Sequence, residues 1–227
     1  MPRSRSRELK CTVQFREAFE ALGYVQAKAY RTWGTADRWY LRQGDHPDVV
    51  QAAYFSHKPS GVYAVALGVL NPEASRRVTA SFLQVMSYMH PIWHSDPNGF
   101  AHHPCWTLFD TGQMFNWTSF SIPDGANPED WPARFAQIVD VLERRFWPID
   151  SVEGVLELLL SKTHKADWRS GNAIWRLAQI VALAKIAGVD GRYVRERIKP
   201  YELYVRRDQH GAAIDPNEVV DHFWAYL

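Results

Sequence analysis

The chain has 227 residues, with 26 Lys and Arg against 25 Asp and Glu and a formal net charge of +1. That balance sets up no whole-molecule field toward phosphate backbones or anionic lipid, so non-specific nucleic-acid binding is disfavoured. With 46% hydrophobic residues and only two cysteines, Cys11 and Cys105, the composition excludes a disulfide-stapled secreted scaffold and fits one large globular domain.

Residues 1–10, with Arg3, Arg5, Arg7 and Lys10, are expected to form a basic flexible tail. The segment after them, Cys11 to Glu17, is too polar for the apolar part of a signal peptide. The longest uncharged apolar run, Gly61 to Leu70, is about half of what a membrane-spanning helix requires. The expectation is a cytoplasmic protein with no membrane insertion.

Leu9, Val13, Phe15, Phe19 and Leu22 mark a first helix, and Gly23 stands where a C-terminal cap needs a left-handed residue. Tyr24 to Tyr30 alternates as a half-buried strand does. Further strands are expected over Arg38 to Gln43, Asp48 to His57 and Val62 to Leu70, the last apolar on both faces and so central. Asn71-Pro72-Glu73 opens a helix carrying Val78, Phe82, Val85, Met86 and Met89. The segment His90 to Pro104, with three Pro and four His, reads as a long loop. Cys105 to Asp110 and Phe115 to Ser121 read as two more short strands, which makes an antiparallel sheet of about six.

From Asn127 the apolar spacing becomes helical: Trp131, Phe135, Ile138, Leu142 and Phe146 recur every three or four residues until Pro148. Pro132 delays the regular part of that helix by a turn. Asp150 with Glu153 has the form of a capping box, Ile174 to Ala184 is a helix closed by Gly188, Asp190 caps another, and Asp215-Pro216 opens the last. The fold class expected is α+β: a mainly antiparallel sheet of about six strands packed by helices in a core over 11–149, with a helical extension over 150–227 packed on it.

Chemistry is sparse. His90, His94, His102, His103 and Cys105 offer five zinc-type donors within 16 residues, but the glutamate between two histidines that marks a zinc hydrolase is missing. The ordinary alternative is loop histidines bonded to backbone or solvent, and no metal or other cofactor is assigned. No Gly-X-Ser-X-Gly elbow and no phosphate-cradling glycine loop occurs, and Cys105 beside Trp106 reads as a buried thiol. Arg192 to Arg207 holds six basic residues, which reads as a solvated helix face before it reads as a nucleic-acid site. The aromatic content is 14%, with 10 Trp, more than core filling ordinarily demands. Trp93, His94, His102, Trp106 and Trp117 are the residues expected to meet a partner, because Trp-rich clusters beside a long loop have the composition of interaction hot spots.

Leu22-Gly23-Tyr24 after a short helix, Trp39-Tyr40, Val62 to Val69 and a later Trp-bearing hairpin resemble small uncharacterised bacterial α+β proteins over residues 8 to 147. Some of those are similar to immunity proteins that neutralise a toxin. The resemblance implies a non-enzymatic protein-binding module of the immunity or antitoxin-like inhibitor kind, with a toxin enzyme as partner. The rival expectation is a metal-dependent enzyme using the loop 90–105.

Overall fold

The computed structural model describes residues 5–26, 38–58, 62–81, 120–123, 131–160, 173–198 and 215–227. Helix α1, Arg5–Ala21, ends where the sequence places its stop. Gly23 takes φ 82°, which lets its N–H donate to the Glu20 carbonyl and the Tyr24 N–H to the Phe19 carbonyl, both at 2.9 Å. These two bonds satisfy carbonyls that the helix end would otherwise leave open.

The chain then builds a meander of β1 (Val25–Gln26), β2 (Arg38–Gln43), β3 (Val50–Lys58), β4 (Val62–Leu70) and, much later, β5 (Phe120–Pro123). Every neighbouring pair is antiparallel, and spatial order follows chain order. The expected count of about six strands is thereby corrected: the described sheet has five, of which β1 has only two residues. Alternation along a segment signals one buried face, whereas a strand also needs a partner ladder. Of the apolar pattern over Phe115 to Ser121 only Phe120 and Ser121 are among the described residues, where they open β5, and Cys105 to Asp110 lies outside the described residues.

Register sorts the faces. Tyr40 opposes Ala53 and Arg42 opposes Gln51, while Ala53 opposes Leu67 and Gln51 opposes Val69. These six residues therefore share one face. Helix α1 covers it, with Phe15 and Phe19 packed on the Tyr40 ring at centroid distances of 5.5 and 5.9 Å. Helix α2, Pro72–Ala80, follows β4 and is capped by Asn71, whose Oδ1 accepts from the Ala74 N–H at 2.7 Å. The same side chain donates to the Asp48 carbonyl at 2.8 Å, so one buried amide ties the helix start to the β2–β3 connection.

Helix α3, Trp131–Val141, continues without a break into a π-helical turn, Leu142–Phe146. Four helices follow: α4 (Val152–Leu160), α5 (Ala173–Ile186), α6 (Gly191–Ile198) and α7 (Pro216–Tyr226). Asp190 and Asp215 cap α6 and α7 as their sequence positions imply, each accepting a backbone N–H two residues on at 2.8 Å. At α4 the cap is Ser151, whose Oγ accepts from the Gly154 N–H at 3.1 Å. Residues 176–184 of α5 are all buried. A helix hidden on every side must be central, and α5 packs against α2, α4, α6 and α7. Through α2 the apolar interior of the helical half is continuous with that of the sheet.

Candidate functional site

Sequence position already determines where Tyr24 goes. Released from α1 by the left-handed Gly23, it precedes β1 by one residue, and the pairing of Val25 with Leu41 puts it level with Arg42 on the next strand. Its ring is 1% exposed and meets Phe19 edge-on at 5.1 Å. The hydroxyl points away from that cluster and accepts a long hydrogen bond from Trp147 Nε1 at 3.4 Å.

Trp147 owes its placement to the π-turn. Its N–H donates to the Leu142 carbonyl, five residues back, at 2.8 Å. The wider turn accommodates one more residue than an α-helix would and shifts which side chains face inward, a device frequent at functional sites. Phe146 is consequently buried, and the half-buried indole of Trp147 lies under Arg42, whose guanidinium carbon is 4.8 Å from the ring centroid. Gln51, 3% exposed, accepts from Arg42 Nη1 at 3.0 Å. Tyr24 thus holds Trp147, Trp147 carries the guanidinium, and Gln51 fixes one of its edges.

Arg42 also differs from the ion-paired arginines in its charge environment. Arg16, Arg76, Arg77, Arg144, Arg192, Arg195 and Arg197 each lie within 4.0 Å of a carboxylate. Among the described residues Arg42 has none, and its nitrogens that lack a bond are not buried. An always-ionised planar fork stacked on an indole, one edge fixed and the rest open, suits bidentate recognition of a planar anion.

No family model, curated protein or solved structure matches the chain. Trp93, His94, His102, Trp106 and Trp117, with His90, His103 and Cys105, fall outside the described residues. Among the described residues no group of three or more His, Cys, Asp or Glu could hold a metal ion, and no helix is long and apolar enough to cross a membrane. Within the basic stretch that begins at Arg192, the three described arginines pair with Asp190, Asp221 and Glu157. Glu157 also accepts from the Tyr193 hydroxyl at 2.5 Å, so this charge fastens α6 to α4 and is already neutralised.

Burial raises the Tyr24 hydroxyl above the ordinary 10.0, against the opposing effects of the Trp147 hydrogen bond and the Arg42 charge. The raised value favours the protonated phenol in the folded state. Stability from this residue is accordingly complete below the unfolded value and is lost as pH rises through the folded one. Ultraviolet titration should find a tyrosine that ionises late, together with unfolding. Tyr24→Phe should reduce the late step to that of Tyr193, whose hydroxyl is raised by its hydrogen bond to Glu157; a titration with every tyrosine ionising at the ordinary pH would contradict it.

Proposed function

We propose that the protein is a non-enzymatic binding module whose partner is another protein, engaged through Arg42 and Trp147. In its more specific form the module is an inhibitor of the immunity or antitoxin-like kind, working in the cytoplasm by covering the partner enzyme. The observation that carries the reading is the guanidinium held ready on a half-buried tryptophan with no carboxylate beside it among the described residues. Arg and Trp dominate the energetics of protein interfaces because each joins large contact area to directional polar groups. Holding them in place before contact lowers the entropy lost on association.

The reading is tested by isolating the tagged full chain from its own cells after brief cross-linking. A partner in about one-to-one ratio is expected, since specific interfaces of standard size survive isolation. Arg42→Ala combined with Trp147→Ala should release that partner while far-UV circular dichroism stays unchanged. For the inhibitor form, adding the chain should abolish the isolated partner's activity. Recovery of no stoichiometric protein, or retention of the partner by a folded double variant, would defeat the assignment.

A further inference from the structure

Resting on that reading, we infer that Arg42 receives the carboxylate of an Asp or Glu side chain on the partner, in a bidentate contact against the edge of Trp147. The guanidinium has five N–H donors, and Nη1 is engaged by Gln51 at 3.0 Å. The Arg42 side chain is half-buried with its guanidinium over the Trp147 ring, and a guanidinium on an indole face keeps its remaining donors in its own plane, clear of the ring. Gln51 supplies an oxygen without charge, so the cation is oriented and, among the described residues, left without a carboxylate. The neighbouring Tyr24 hydroxyl is occupied by Trp147 and acts as support, a positioning residue with no contact to the ligand.

A carboxylate suits the site better than a phosphate. A phosphomonoester carries close to two negative charges and ordinarily gathers several cations. Among the described residues Arg42 is the one guanidinium placed on Trp147, while Arg77, Arg144 and Arg197 already meet Glu73, Asp140 and Glu157. One planar cation with one open edge matches one planar monoanion in shape and in charge.

The test uses the full chain labelled with nitrogen-15 arginine and three probes: a blocked Ala-Glu-Ala tripeptide, its Ala-Gln-Ala counterpart, and inorganic phosphate. The Nε–Hε resonance of Arg42, assigned by its absence from Arg42→Lys, should move saturably with the Glu peptide and remain still with the Gln peptide. Arg42→Lys should weaken the Glu peptide by about tenfold, since an ammonium cannot reproduce the fork. If that variant fails to fold, Gln51→Glu serves: it places an internal carboxylate on Arg42 and should suppress the peptide's effect. Equal responses to both peptides, no response to either, or phosphate acting at about tenfold lower concentration would overturn the inference. The two proposals fail separately. A Glu peptide that binds while no partner is recovered sinks only the binding module, and a recovered partner indifferent to Arg42→Lys sinks only the carboxylate contact.

Discussion

Phe19→Ala is expected to destabilise the protein by about 3–5 kcal/mol, the range for truncating a large aromatic in a core that cannot collapse around the gap. Phe19 is fully buried and sits among four rings: Phe15 at 4.4 Å, Tyr24 at 5.1 Å, Phe135 at 5.6 Å and Tyr40 at 5.9 Å. Those rings come from α1, the β1 entry, α3 and β2, so the vacancy opens where four elements meet and no single one can move in to fill it. Beyond lost area, the edge-to-face contacts with Tyr24 and Phe135 add about 0.5–1.5 kcal/mol each. In a chain of this size the loss should lower the melting temperature by about 10 °C. Phe19→Leu, which keeps most of the volume, should cost clearly less. Because Tyr24 rests on Phe19 and holds Trp147, the Arg42 Nε–Hε resonance should also shift in Phe19→Ala. A melting temperature unchanged in Phe19→Ala would mean that this cluster is not what joins the helices to the sheet.

Elements governed by local chemistry were legible. Gly23 and Gly188 stop their helices, Asp190 and Asp215 start theirs, and the strands Arg38–Gln43 and Val62–Leu70 end where alternation and turn residues say. The capping box at Asp150 was misplaced by one residue: the helix begins at Val152, so Ser151 is its cap and accepts from Gly154, three residues on. The candidate site was not legible as a site, for its members come from positions 24, 42, 51 and 147 and meet only through register and a π-turn. One signal was available. On β2, Tyr40 and Arg42 fall on the same side of the alternation, so a strand whose buried face is marked by Tyr40 also turns a charge inward. A charged residue on an apolar face needs a partner or a purpose. The π-turn had no such marker, since Leu142 and Phe146 fit ordinary helical spacing. What the histidine and tryptophan pattern of 90–117 does lies outside the described residues.

The central helix α5 yields a second large effect, and it distinguishes two buried polar side chains one turn apart. Arg176 is fully buried, and its Nε and Nη2 donate to the Leu159 carbonyl at 2.9 and 2.5 Å. Leu159 lies in the last turn of α4, where carbonyls have no partner within their own helix, so the guanidinium acts as that helix's cap from a neighbour. Arg176→Ala removes the cap and leaves a hole, and a loss of about 3–5 kcal/mol is expected from the two together. Gln179 is 1% exposed, and neither end of its amide finds a hydrogen bond among the described residues. An unpaired buried polar group costs about 1–3 kcal/mol, while an apolar group of the same shape costs nothing of the kind. Gln179→Met, nearly isosteric, should therefore raise stability by about 1–2 kcal/mol. Urea denaturation checks both, as opposite displacements of the midpoint at constant slope. Since the two residues are three apart on one helix face, they can be coupled, and the double variant measures by how much. Destabilisation by Gln179→Met would show that the amide is satisfied by a bound water or another group, and that the polar interior of α5 contributes to the fold at both positions.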